Sequence, residues 1–260
     1  MFAPLLYSGR FEQAVSVARE LGLSCIELSV RDPASVSVSD VQAVVNSSGL
    51  AVSAIATGQA CLVDGLCLAA SDDLTRASAV ERFAGQVKLA SELGAVVILG
   101  GVRGRLGASG TEGEQRRAAA VEAIRTCVST AAAVGIEVML EPINRYETDF
   151  VRTAEEGLQL IDEVGSSSLR LLLDCFHMNI EEQNLAAAIR RAGDRLGYVH
   201  LVDSNRRAPG QGHVNFKEVF EALDEIGYDG PLVAEILPLP DDLTAARLAA
   251  SFLLEEIPRL

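Results

Sequence analysis

The chain has no tryptophan, and aromatic residues make up only 5% of its 260 positions. Aliphatic side chains must therefore fill the core. At 49% hydrophobic and 22% charged residues there are enough of them for a globular protein of this length. Cationic residues are also scarce: 22 Lys and Arg stand against 36 Asp and Glu, a formal net charge of −14. Such a surface repels nucleic-acid phosphates and anionic lipid, so neither is an expected partner. No apolar run approaches the roughly 18–20 residues of a membrane span. The opening "MFAPLLYSGRFEQ" has no basic region followed by a long apolar stretch, so a cytoplasmic location is expected. The five cysteines (Cys25, Cys61, Cys67, Cys127, Cys175) include no C-x-x-C pair, and their number is odd. They are expected to be buried free thiols in a reducing compartment.

What is present is an alternation. Short apolar runs at 3–8, 25–30, 52–57, 95–101, 137–142, 169–174, 198–203 and 231–237 read as strands. Several are apolar nearly throughout, as parallel strands covered by helices are. Segments with apolar spacing near 3.6 lie between them, at 10–21, 39–48, 72–93, 112–134, 153–164, 182–192, 215–226 and 241–255. Eight strands, each followed by a helix, predict an α/β fold of the (β/α)8 TIM-barrel type, one domain over residues 1–260. A doubly wound open sheet is the alternative. It usually carries G-x-G-x-x-G after an early strand, and the nearest stretch here, "GGVRGRLG", has the wrong spacing.

Barrel chemistry sits at the C-terminal ends of the strands. Those ends carry Glu141, Asp174, His200 and Glu235 on four successive strands, each roughly one βα unit from the next. Any one of them alone has an ordinary explanation: a carboxylate paired with arginine, a helix cap, a satisfied core histidine. Together, three carboxylates and one imidazole would repel one another without a cation. An oxygen-rich set with one nitrogen suits Mn²⁺, Mg²⁺ or Co²⁺ better than a structural zinc. Nearby stand His177, Arg206 and Glu147, each able to bind a substrate oxygen, to pair locally or to lie at the surface. Glu147 is also within reach of Arg145, and His213 is a candidate partner for a ligand.

The motifs "LEPINRYETDF" (140–150), "DCFHMNIEE" (174–182), "VHLVDSNRRAPGQGH" (199–213) and "AEILPLP" (234–240) resemble those of the xylose-isomerase-like barrels, most closely the ketose 3-epimerase branch typified by D-tagatose 3-epimerase. With "VRDP", "ATGQACLVDGLCL" and "GGVRGR" added, the chain looks most like the 5-keto-L-gluconate epimerases, which act on keto-sugar acids. The resemblance implies metal ligands at Glu141, Asp174, His200 and Glu235, with Glu141 and Glu235 doubling as the acid/base pair. It implies substrate contacts at Glu147, His177 and Arg206, Mn²⁺ or Co²⁺ as the metal, and a homodimer or homotetramer. The expected activity is epimerisation next to a ketone. Aldose–ketose isomerisation needs the same enediolate and is the alternative.

A sugar acid would also need a cation for its carboxylate. Arg103 and Arg105, with Arg31 behind them, are candidates, or else rim arginines that balance an acidic surface. A DNA-repair endonuclease of the same barrel family would need more than three histidines and a basic groove. A non-catalytic sugar-binding barrel would not need both glutamates, and no phosphate cradle is evident at the last two strands.

Overall fold

The structure is a computed structural model and describes residues 6–256. Among the described residues seven strands run parallel in chain order: β1 (Cys25–Ser29), β2 (Ala51–Ala56), β3 (Val96–Leu99), β4 (Val138–Leu140), β5 (Leu169–Asp174), β6 (Leu196–His200) and β7 (Leu232–Val233). The sheet curls. In a flat sheet, strands four positions apart would lie about 19 Å from each other. Here the Tyr198 hydroxyl on β6 lies 2.8 Å from the Ser53 hydroxyl on β2. Helix α1 (Phe11–Glu20) precedes the strands, and α2 (Val38–Ser48), α3 (Gly58–Asp64), α4 (Asp73–Leu93), α5 (Gly110–Ala133), α6 (Ala154–Val164), α7 (Cys175–Glu181), α8 (Leu185–Ala192), α9 (Phe216–Glu225) and α10 (Asp242–Glu256) lie between and after them. This is the TIM-barrel architecture, nearly closed.

Strand alternation explains both core and site. Ala54, Ile98, Met139, Leu172 and Tyr198, one from each of β2 to β6, form a small apolar layer inside the barrel. Their neighbours along each strand join the larger core between strands and helices. Two residues beyond Met139, Leu172 and Tyr198 come Glu141, Asp174 and His200. A period of two therefore points these polar side chains into the barrel mouth, above the apolar layer. Asp174 and His200 are register partners across β5 and β6. Glu235 follows β7 by two residues and reaches the same rim.

The expected strand at 3–8 is not borne out where it can be seen. Residues 1–5 lie outside the described residues, and 6–9 form a turn in which Tyr7 (φ 54°) and Gly9 (φ 71°) are left-handed and Arg10 N–H donates to Tyr7 O at 2.8 Å. The expected helix at 182–192 is shorter, α8, and is preceded by α7 inside what reads as a loop. Asp174 begins α7 by accepting the backbone N–H groups of Phe176 and His177. The expectation of free thiols fails for two cysteines. Gly65 ends α3 in the left-handed region (φ 71°), the chain doubles back, and Cys67 forms a disulfide with Cys61 across 4.6 Å between Cα atoms. Cys127 and Cys175 are buried thiols, and Cys25 is half-buried. Among the described residues no helix is long and apolar enough to cross a membrane.

Candidate active site

Glu141, Asp174, His200 and Glu235 converge. One ligand-type atom from each lies within 4.8 Å of all the others. The His200 Nδ1 atom faces Asp174 Oδ2 at 3.4 Å, Glu235 Oε2 at 3.4 Å and Glu141 Oε1 at 3.7 Å. It is buried and has no hydrogen-bond partner among the described residues. Ligands about 2.1 Å from an octahedral divalent ion sit about 3 Å apart when adjacent and about 4.2 Å apart when opposite. The spacing here fits. An orphaned imidazole nitrogen beside three carboxylates is the donor set that a divalent cation completes.

Local structure holds each group. Asp174 divides its oxygens: Oδ1 caps α7 at 2.8 and 3.0 Å, while Oδ2 turns to His200 and Arg206. The helix cap and the ligand-type oxygen, alternatives in the sequence, are the two oxygens of one carboxylate. Glu141 needs Gly100, because a Cβ there would run into its carboxylate. Arg206, left-handed at φ 63°, donates from its two terminal nitrogens to Asp174 (2.9 Å) and Glu235 (2.5 Å) and lies over the Phe176 ring. A non-glycine residue held there carries strain of about 1–2 kcal/mol. Leu237 N–H to Arg206 O and Arg206 N–H to Asp203 O fix it.

Charge is unevenly shared. Burial pushes the Glu235 carboxyl up, and with Glu141 and Asp174 adding to it against Arg206 and His200, the pKa reaches about 8. Burial opposes ionisation of Glu141 and Asp174 as well. His200 and His177 outweigh it at Glu141, and Arg206 and the imidazoles outweigh it at Asp174, so both fall below the usual carboxylate range. Burial lowers His177 despite Asp174. Burial also works against a charged His200, but Glu27, Glu235 and the other carboxylates raise it well above an ordinary imidazole.

His177 Nδ1 accepts from the Asn144 backbone N–H at 3.4 Å and lies 2.7 Å from the Asn144 side-chain nitrogen. A neutral ring therefore carries its proton on Nε2, which faces Glu141 Oε1 at 3.7 Å. Asn144 also donates to Glu147 at 3.1 Å. Glu141, Glu147, His177, Arg206, Glu235 and Arg105 all line one cavity of about 760 Å³.

Other candidates are placed elsewhere. Arg103 is 1% exposed and spends its guanidinium on the carbonyls of Leu99, Glu141, Phe150 and Val151, so it braces the rim from inside and is not a substrate cation. Burial pulls its pKa down to about 10, still charged at neutral pH. Arg31 turns to Asp64, and Arg145 pairs with Glu181 and not with Glu147. His213 is exposed and bonded to Ser204 at 2.9 Å, away from the four ligand-type groups. Arg105 is exposed at the cavity edge, and among the described residues its guanidinium meets only Tyr146 O, at 3.5 Å.

The chain matches the xylose isomerase-like TIM barrel family over residues 15–255. It belongs to that family. It is 34% identical over 227 residues to the L-ribulose 3-epimerase of Mesorhizobium japonicum, which covers 86% of this chain and 74% of the relative. It is 46% identical over 119 residues to the D-psicose 3-epimerase of Enterocloster bolteae, a stretch that spans 46% of this chain and 40% of that relative. Against the crystal structure of D-allulose 3-epimerase from Methylomonas sp. in complex with D-allulose, the TM-score is 0.85 at 27% identity, with 98% and 93% of the two chains covered.

Within this xylose isomerase-like barrel, two functional-looking residues escaped sequence reasoning. Asn144 orients His177, and its signal lies in its place beside Glu141 in "EPINRYE". Glu27 donates no ligand atom to the cluster yet bonds His200 Nε2 at 2.9 Å. Its signal is a carboxylate at an alternating position of an otherwise apolar strand, "CIELS".

Proposed function

We propose that this xylose isomerase-like barrel is a divalent-metal-dependent sugar epimerase that inverts the carbon next to a ketone through an enediolate. The observation that carries the proposal is the convergence of Glu141 and Glu235, from opposite ends of the four-strand arc, on the unpartnered His200 Nδ1. The relatives named as 3-epimerases support the reaction class.

A divalent ion, Mn²⁺ by expectation with Co²⁺ or Mg²⁺ as alternatives, held by Glu141, Asp174, His200 and Glu235 supplies Lewis-acid stabilisation of the charge that develops on the ketone oxygen. The protein's own groups do the rest. One of the two glutamates removes the proton from the carbon beside the ketone, and the other returns a proton to the opposite face, so one C–H bond breaks and one forms with inversion. In the metal-free protein Glu141 is held ionised, whereas burial raises Glu235 to about 8, and Glu235 gives up that proton when it ligates the ion. His177, neutral and protonated on Nε2, donates to a substrate oxygen. Arg206 holds the carboxylates of Asp174 and Glu235 and offers its remaining donors to a hydroxyl. Glu147 accepts from another hydroxyl. Burial of these groups excludes water from the developing charge and strengthens every one of these contacts.

The substrate class we favour is a keto-sugar acid such as 5-keto-L-gluconate or D-tagaturonate, with a ketohexose as the alternative, because Arg105 stands at the cavity edge with its charge uncommitted. Cytoplasmic placement and a homodimer or homotetramer are part of the proposal; fractionation and sedimentation of the native protein check them.

Proton NMR of Mn²⁺-loaded protein tests it, with 5-keto-L-gluconate, D-tagaturonate, D-fructose and D-tagatose offered in turn in D₂O. Growth of an epimer carrying deuterium beside the ketone is expected. A new aldehyde would mean isomerisation instead. No conversion of any of the four by protein holding one ion per chain would sink this substrate choice.

A further inference from the structure

Glu27 is a carboxylate inside the barrel that takes no place in the four-group cluster. It sits on β1, where alternation turns its side chain inward. A bulge between β1 and β2 sets its surroundings: Ile26 pairs with Val52 and Glu27 with Ala54, so Ser53 has no partner across the ladder. The Ser53 hydroxyl turns inward and meets Tyr198 Oη at 2.8 Å. Tyr198 donates to Glu27 Oε2 at 3.0 Å. His200 Nε2 reaches the same oxygen at 2.9 Å. Glu27 can only accept as a carboxylate, so Tyr198 commits its one hydroxyl hydrogen to Glu27, and the Ser53 hydroxyl divides its own between Tyr198 Oη and the Ile26 carbonyl at 3.1 Å.

The consequence falls on His200. With Nε2–H committed to Glu27, a neutral ring has its lone pair on Nδ1. That is the buried atom without a partner, and it faces Glu141, Asp174 and Glu235. The Tyr198 ring meets the His200 ring edge-on, with centroids 5.5 Å apart, which limits rotation of the imidazole.

We propose that Glu27 is a positioning residue for the metal centre. By accepting the His200 Nε2 proton it selects the tautomer and the ring angle that aim Nδ1 at the ion. The inference rests on the metal-centre reading given above. Glu27 does not line the cavity shared by Glu147, His177 and Arg206, and it acts through His200. A carboxylate behind a ligating imidazole also raises the basicity of the ligating nitrogen, and loss of such a partner typically weakens metal binding 10- to 100-fold.

The test is a Mn²⁺ titration of metal-free protein, with free ion read by electron paramagnetic resonance. Wild type, Glu27→Gln and Tyr198→Phe are compared, and each melting temperature is taken without metal. Wild type is expected to bind one ion per chain. Glu27→Gln is expected to bind it 10- to 100-fold more weakly with its metal-free melting temperature little changed. Tyr198→Phe, which removes one bond to Glu27 but not the His200 bond, is expected to lose far less affinity. Glu27→Gln affinity within threefold of wild type would overturn the role of Glu27. A wild type that binds no Mn²⁺ would overturn the metal-centre reading itself, and the role of Glu27 with it. A second measurement needs no variant. In ¹⁵N-histidine-labelled wild type loaded with diamagnetic Mg²⁺, long-range ¹H–¹⁵N spectra should place the His200 proton on Nε2. A proton on Nδ1 would overturn the proposal even if Glu27→Gln failed to fold.

Discussion

Replacing Arg103 by methionine should damage the protein from the inside, although the sequence offers Arg103 as a substrate cation or a rim arginine. The buried guanidinium satisfies four carbonyls: Leu99, Glu141, Phe150 and Val151. Methionine keeps most of the apolar stem and none of the donors. Leu99 O and Val151 O would each retain a backbone donor, from Glu141 N–H and Ile143 N–H at 3.2 Å. Among the described residues Phe150 O would keep only the Thr148 hydroxyl at 3.5 Å. Glu141 O would lose its one partner among the described residues. An orphaned buried carbonyl costs about 1–3 kcal/mol, and a lost bond with an alternative remaining costs about 1 kcal/mol each, for a gross loss of about 4–6 kcal/mol. Relief from burying an unpaired guanidinium offsets part of that, which leaves a net loss of about 2–4 kcal/mol. Val151, left-handed at φ 64°, is β-branched and strained, and without Arg103 the 141–151 loop loses the brace that holds that conformation. Urea unfolding of the metal-free variant measures the loss, and Mn²⁺ titration of the same sample measures how far Glu141 has drifted. A stability change under about 1 kcal/mol with unaltered Mn²⁺ affinity would refute this role for Arg103.

Four other outcomes are expected. Gly100→Ala places a methyl group against the Glu141 carboxylate, so Mn²⁺ affinity should fall at least tenfold while the barrel stays folded; calorimetric titration decides. Mn²⁺ affinity should rise with pH between about 6 and 8, because Glu235, with its pKa raised to about 8, and His200, also raised, must both give up protons to ligate; titration in buffers of different ionisation enthalpy should detect the released protons. Arg105→Ala should lower activity on keto-sugar acids relative to neutral ketoses, and an unchanged ratio of kcat/KM values would remove Arg105 from substrate recognition. Reducing Cys61–Cys67, which closes a loop of seven residues, should cost about 2 kcal/mol of stability in a denaturation experiment with and without reductant.

The four ligand-type residues were legible because two periodicities reinforced each other. Each falls at or just past the end of an apolar run, and the runs recur at the spacing of βα units. Alternation then leaves little freedom: inward at Met139, Leu172 and Tyr198 means inward again at Glu141, Asp174 and His200. Glu27 obeys the same alternation but was missed, because it lies mid-strand and its meaning depends on a partner more than 170 residues away. Arg103 and Arg105 look alike in "GGVRGR", yet a 3-10 turn over 101–103 carries one inward and leaves the other exposed. Sequence spacing does not distinguish two arginines separated by a left-handed glycine, Gly104 at φ 75°. Cys61 and Cys67 were read as separate thiols, since their pairing depends on the left-handed Gly65 that folds the end of α3 back. The expected first strand includes Tyr7, whose left-handed backbone an apolar pattern does not reveal.

The most direct measurement is hydrogen–deuterium exchange at the carbon beside the ketone of 5-keto-L-gluconate in D₂O. It compares metal-free protein, Mn²⁺-loaded protein, and Glu141→Gln and Glu235→Gln at matched Mn²⁺ occupancy. Exchange with epimer formation only in the loaded wild type, and no epimer from either variant, is the expected result. Equal exchange by the metal-free protein, or epimer formation by a variant that lacks one of the two glutamates, would contradict a metal-dependent epimerase with two opposed carboxylates.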